Sequence, residues 1–144
     1  MAKSPTLKFK LLNKQAKLPQ YAHDTDAGFD VFSIETVTIK KGERKILKTG
    51  LSSEIPRGWY VQFFDKSGVA ARLGLHALGG VIDSAYRDEW GVIMINLAEK
   101  RVKIEKGDKI VQGVFLPITQ PKIVESINLS KQNRGGGFGS TGRK

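Results

Sequence analysis

Apolar and polar positions alternate over short distances along this chain, and turn residues interrupt the pattern before any helical stripe can build up. Arg101-Val102-Lys103-Ile104-Glu105 and Val37-Thr38-Ile39-Lys40 show the period-2 signature of a strand with one buried face. Further runs rich in β-branched and aromatic residues are LKFKLL (7–12), DVFSI (30–34), WYVQFF (59–64), GVID (80–83), GVIMINL (91–97) and KIVESI (122–127). KKGER makes a Gly-centred turn into KILKTGLSSEI, Pro56-Arg57-Gly58 punctuates before Trp59, and the apolar pattern resumes through RVKIEKGDKIVQGVFLPI (101–118). Only SGVAARLGL (67–75) reads as helix, and it is too short to form a layer. Many strands at close spacing, with 16 glycines at the joints and no internal repeat, predict an all-β sandwich or jelly roll rather than βαβ units. Residues 1–127 read as that domain. From Asn128 the sequence turns polar and Gly-rich, a C-terminal arm over 128–144 that is mobile when free.

Composition narrows the class. A chain of 144 residues with 40% hydrophobic and 26% charged positions fits one soluble globular domain with a core of its own. No apolar run approaches the roughly 20 residues that span a bilayer, so no membrane partner is expected. The N-terminal MAKSPTLKFKLLNK has no apolar core or small-residue cleavage site of a secretory signal. The absence of cysteine excludes a disulfide framework and thiolate metal sites. A reducing compartment is the default: the cytoplasm, or the nucleus or host cytosol for a eukaryotic or viral source. The 24 Lys and Arg against 14 Asp and Glu leave a net charge of +10, which suits a polyanionic partner or simply a solvated basic face. The lysines are spread out rather than striped, so charge alone favours the solvated face.

Five short segments carry candidate chemistry. In Asp26-Ala27-Gly28-Phe29-Asp30 the Gly suits a strand-start bulge, and the Asp30 carboxylate suits indirect binding of a hydrated divalent cation. Lys66-Ser67-Gly68, at a strand-to-helix junction, combines backbone N–H groups, a hydroxyl and a cation, a set that fits phosphate. Ser67 is equally placed to be a helix N-cap. In Gly80-Val81-Ile82-Asp83-Ser84-Ala85-Tyr86, an Asp at the end of an apolar strand is expected to be desolvated and able to take a proton from an ordered water. The competing reading makes Asp83 the start of a turn and Tyr86 an ordinary half-buried aromatic. Lys106-Gly107-Asp108-Lys109-Ile110-Val111-Gln112 is a turn entering a strand, with a Gln112 amide able to donate to phosphate. Arg134-Gly135-Gly136-Gly137-Phe138-Gly139-Ser140-Thr141 is a glycine-hinged arm able to stack an aromatic on a base and bring hydroxyls to phosphate. Such tails are otherwise disordered or belong to RNA-binding segments.

In this order AGFD, KSG, GVIDSAY, KGDKIVQ and RGGGFGSTG resemble the five motifs of the trimeric dUTP pyrophosphatase (dUTPase) family, over nearly the whole chain. The resemblance implies a β jelly roll assembled as a homotrimer, with sites at subunit interfaces, that hydrolyses dUTP to dUMP and pyrophosphate with Mg²⁺. It implies that Asp83 deprotonates the water attacking the α-phosphorus and that Tyr86 packs on the deoxyribose. The backbone of Gly80, Val81 and Ile82 would read the uracil edge. Lys66, Ser67, Gly68 and Gln112 would hold phosphates from a neighbouring subunit, and Asp30 would act on the metal through water. The arm would close as a lid, with Phe138 on the uracil and Arg134, Gly139, Ser140 and Thr141 around the phosphate end.

Three positions and one spacing depart from the family pattern: Lys66 replaces the usual Arg, Asp65 an often-found Pro, and Asp88 a Gly, and the Arg134–Phe138 spacing is one residue short. Lys keeps the charge but loses the bidentate fork of Arg. The related dCTP deaminases, which ARLGLH also resembles, need a carboxylate in the strand after the third motif, and GVIMINL has none. The remaining alternatives are a regulatory nucleotide-binding protein on the same scaffold and a nucleic-acid-binding β-barrel. The few, unstriped aromatics speak against the barrel, and no nucleic acid is expected as a partner.

Overall fold

The structure, a computed structural model, describes residues 4–143. Eleven strands pair only with antiparallel neighbours. They are β1 (Lys8–Leu11), β2 (Phe29–Phe32), β3 (Val37–Ile39), β4 (Arg44–Lys48), β5 (Leu51–Glu54), β6 (Trp59–Phe64), β7 (Leu75–Leu78), β8 (Val81–Ile82), β9 (Gly91–Asn96), β10 (Val102–Ile104) and β11 (Lys109–Pro117). A four-stranded sheet runs β2-β11-β6-β8 and a three-stranded sheet runs β4-β9-β7, with the pairs β1-β5 and β10-β3 completing the roll. The predicted all-β jelly roll is the observed architecture.

The alternation read from the sequence sets which side chains enter the core. β9 buries Val92, Met94 and Asn96 and leaves the residues between them half-exposed, and β10 buries Val102 and Ile104 while Lys103 faces water. Val31, Val61, Phe63 and Val111 from the larger sheet meet Leu47, Leu75, Val92 and Met94 from the smaller one in a single apolar cluster. Trp90 is fully buried at its edge, with Phe9 and Phe63 rings edge-on at 5.0 and 5.5 Å. Asn96, the polar intruder, is satisfied: its amide donates to the Ile39 and Lys100 carbonyls and its oxygen accepts the Ala98 N–H.

Two element readings are corrected. The helix expected over 67–75 is confined to the turn Val69–Leu73. Gly74 adopts a left-handed conformation (φ 67°) and donates to the Ala70 carbonyl, which ends the turn and lets Leu75 start β7, a strand the helical reading had absorbed. The strand expected at 122–127 does not form. β11 ends at Pro117, and Ile123 and Ile127 lie 93% and 97% exposed in an extended segment with no sheet edge beside it. Among the described residues no helix is long and apolar enough to cross a membrane.

Candidate active site

β11 lies between β2 and β6, and that placement gathers three of the candidate segments. Gln112 sits opposite Asp30 on one side and opposite Phe64 on the other, so the chain leaving β6 carries Asp65, Lys66, Ser67 and Gly68 past it. Asp30, Lys66, Ser67, Gly68 and Gln112, with Asp26 and Gly28, line a polar cleft of about 230 Å³. Gly28 is there because Gln112 fills the space: a Cβ on it would stand 2.6 Å from Oε1 of Gln112. The Gln112 amide donates to the Asp65 carbonyl at 2.9 Å, which fixes its orientation.

Asp30 is buried, yet both carboxylate oxygens are engaged. Lys66 pairs with Oδ1, and Lys109 reaches Oδ2 at 2.8 Å. Burial pushes its pKa up, but the hydrogen bonds and charges of Lys109 and Lys66 outweigh it and hold the group below 3.8. An ionised Asp30 thus anchors two ammonium groups at the cleft. Lys109 lies in the Lys106–Gln112 segment, where nothing in the sequence marks it for this role. Its contact arises from a bulge in the β11–β2 ladder between Lys109 and Val111, which residue order does not reveal.

Ser67 does not cap the helical turn. Gly68 holds the N-cap place with no side-chain bond, and among the described residues the exposed Ser67 hydroxyl has no protein partner. A free hydroxyl beside an anchored cation matches the phosphate-binding alternative better than the capping one. The same residues do not fit a protein-held metal. Asp30 is already saturated by cations, and among the described residues no group of three or more His, Asp or Glu converges on a point.

The Gly80–Tyr86 segment lies elsewhere. β8 pairs with β6 through Val61–Ile82 and Gln62–Val81, and Gly80 follows a left-handed Gly79 where the chain crosses between sheets. At φ 97°, with a would-be Cβ 2.9 Å from that of Phe63, position 80 admits only glycine. Its carbonyl accepts the Phe63 N–H at 2.9 Å. The expectation that Asp83 is buried is not met: Ile82 is buried, but Asp83 is exposed, lining a wide cleft of about 770 Å³ with Lys8, Glu54, Arg57, Ser84 and Arg87. The β8 strand is only two residues long, too short to carry a third apolar neighbour over the carboxylate.

Arg87 and Glu89, which pattern reasoning missed, hold this segment in place. Arg87 donates to the carbonyls of Ser53 and Ser84 at 3.1 and 2.7 Å, and Glu89 accepts the Gly50 N–H at 2.8 Å. Tyr86 closes the Asp83–Tyr86 turn through its N–H, donates its hydroxyl to the Glu89 carbonyl at 3.0 Å, and stays 39% exposed. The charge run RDE thus serves as a brace, and its only signal in the sequence was its position directly after Tyr86.

The two clefts share no residue. β8 runs antiparallel to β6, so moving from Gly80 to Asp83 moves from beside Phe63 back towards Tyr60, away from Lys66. At about 3.3 Å per strand residue, that sets Asp83 roughly 20 Å from the same chain's Lys66. The arm joins neither cleft. Arg134, Gly139, Ser140 and Thr141 are exposed, Phe138 stands free of the body, and the hydrogen bonds of this stretch run within itself.

The chain matches known proteins over nearly its whole length. A dUTPase family model matches residues 14–142. The deoxyuridine 5′-triphosphate nucleotidohydrolase of Clostridium tetani is 49% identical over 141 residues, covering 96% of this chain and 97% of its own. That of Nautilia profundicola is 46% identical over 140 residues, covering 95% and 99%. Among solved structures, the Staphylococcus bacteriophage 80alpha dUTPase with dUPNHPP superposes with a TM-score of 0.91 at 32% identity, covering 96% of this chain and 99% of that one. The dUTPase of phage phi11 of S. aureus, for which coordination of a structural Mg(II) ion is described, matches at 0.83 and 28%, covering 88% and 100%. Likeness of this extent, in sequence and in backbone alike, places the chain in the dUTPase family.

Proposed function

We propose that this chain hydrolyses dUTP to dUMP and pyrophosphate, at sites completed by two or more copies in a homotrimer. The observation that carries the reading is the separation just described: a cationic, hydroxyl-bearing cleft and a carboxylate at the end of β8, each built and braced, but far apart in one chain. A nucleotide whose base lies on the Gly80–Ile82 backbone and whose ribose lies on Tyr86 runs its phosphates past Asp83. It then meets the Lys66–Gln112 cleft of a neighbour, not its own. The names of the relatives supply the substrate.

In this reading Asp83 orients a water and accepts its proton as the water oxygen bonds to the α-phosphorus. The α–β bridging P–O bond breaks, and pyrophosphate leaves. Lys66, the Ser67 hydroxyl, the Gly68 backbone and Gln112 hold the departing phosphates, where preorganised donors are most effective. Exposure of Asp83 in the single chain is consistent with a base that is desolvated only when substrate and neighbour close over it. The arm supplies the cover, with Phe138 stacking on uracil and Arg134, Gly139, Ser140 and Thr141 at the phosphate end. Mg²⁺ entering with the triphosphate would supply charge neutralisation there, and Asp30, paired with Lys66 and Lys109, would meet it only through water.

A panel of dUTP, UTP, dTTP and dCTP tests the reading. Pyrophosphate release from dUTP, with the other three nearly untouched, is expected. Conversion of dCTP to a uracil nucleotide would move the protein to the deaminase branch, and nucleotide binding without turnover would make it a regulatory relative.

A further inference from the structure

Asp65 is not among the phosphate-facing residues, yet it makes three contacts with two separate strands, β7 and β11. Its Oδ1 accepts the Ala77 backbone N–H at 2.7 Å, and its Oδ2 lies 2.6 Å from Nδ1 of His76. Its carbonyl accepts the Gln112 amide at 2.9 Å. β6, which ends one residue before Asp65, belongs to the four-stranded sheet, and β7, which holds His76 and Ala77, to the three-stranded one. The carboxylate therefore fastens one sheet to the other at the base of the loop that presents Lys66, Ser67 and Gly68.

The pairing of the strands does not depend on this clasp. β6 is registered by β11 and β8, and β7 by β9. Nor is it a core contact, since the Asp65 and His76 side chains are 27% and 50% exposed and the apolar cluster does not include them. What it does fix is the direction in which the chain leaves β6, and with it the Asp65 carbonyl on which Gln112 is docked. A charge-assisted bond to a backbone N–H is a stiff way to do so.

From this we infer that Asp65, clasped to His76 and Ala77, is a positioning residue for the triphosphate cleft. It sets the loop carrying Lys66, Ser67 and Gly68 and the docking point of Gln112, and so governs affinity for the outer phosphates without touching the chemistry at Asp83. The inference rests on the phosphate role proposed for those residues.

Steady-state kinetics with dUTP, and competition by dUMP, which lacks the outer phosphates, test it on the full-length protein. Asp65→Ala raises KM for dUTP on the order of tenfold, the loss of about one charge-assisted hydrogen bond. It leaves kcat and dUMP inhibition within about twofold. Asp65→Asn, which keeps an acceptor for the Ala77 N–H, recovers most of the loss, and His76→Ala loses less than Asp65→Ala. An unchanged KM overturns the inference, as does parallel weakening of dUTP and dUMP with a lowered Tm, the mark of a merely structural clasp. Gln112→Ala separates the two levels. If it weakens dUTP relative to dUMP and Asp65→Ala does not, the clasp is wrong and the phosphate cleft stands. If neither variant shifts that ratio, the phosphate reading fails and the clasp with it.

Discussion

Replacing Asp83 by Asn keeps the size of the side chain and its place beyond Ile82 but removes the proton acceptor. Asp83→Asn is expected to lose turnover of dUTP by at least about a hundredfold, the usual weight of a general base, while nucleotide binding by calorimetry persists. Retained activity would assign the base elsewhere. Asp30 answers a different question. Burial raises its pKa, the bonds from Lys109 and Lys66 lower it further than burial raises it, and the net is a value below 3.8. A carboxylate depressed in the folded state contributes stability that is fully present above the unfolded value and lost as pH falls through the folded one. Asp30→Asn is therefore expected to cost about 1–2 kcal/mol in urea unfolding near neutrality, the low end because both ammonium groups reach water. The difference from the unsubstituted protein should narrow only as pH falls below 3.8. A gap that stayed constant to lower pH would mean the two lysines do not hold the carboxylate.

Among the elements, the arm is separable from the body. β11, the last strand, ends at Pro117, and the hydrogen bonds around residues 133–142 stay within that stretch. If the arm closes over the reacting phosphate, deleting residues 134–144 is expected to leave the unfolding midpoint and the oligomer unchanged while cutting dUTP turnover at least tenfold. An unaffected rate would reduce the arm to a linker. The elements also show where the sequence could be read. Period-2 alternation gave β3 and β10 their correct faces because one side of each strand is buried and the other wet. SGVAARLGL misled because its apolar spacing continues through Gly74 into β7, and only the left-handed turn there separates helix from strand. KIVESI has strand composition but no partner edge within its own chain, and composition cannot supply one. At the candidate site, Lys66, Ser67 and Gln112 were legible because their chemistry is carried by residue type. Lys109, Arg87 and the Asp65 clasp were not, because they act through register, a bulge and backbone carbonyls that only the fold brings together.

At the scale of the whole molecule, a net charge of +10 accompanies two clefts that share no residue. Ile123, Val124, Ile127 and Leu129 are exposed, and among the described residues nothing covers them. If the site is shared between copies, two dead variants can repair each other. Asp83→Asn spoils one half and Lys66→Ala the other, and a mixed trimer contains one site in which both halves are intact. The decisive measurement is dUTP hydrolysis by mixed oligomers, co-expressed from two differently tagged variants and purified through both tags. The mixed species is expected to regain up to about a third of the unsubstituted rate, as one restored site in a three-fold assembly requires. Mixed oligomers as inactive as either parent would place both halves of the site within one chain and contradict the account.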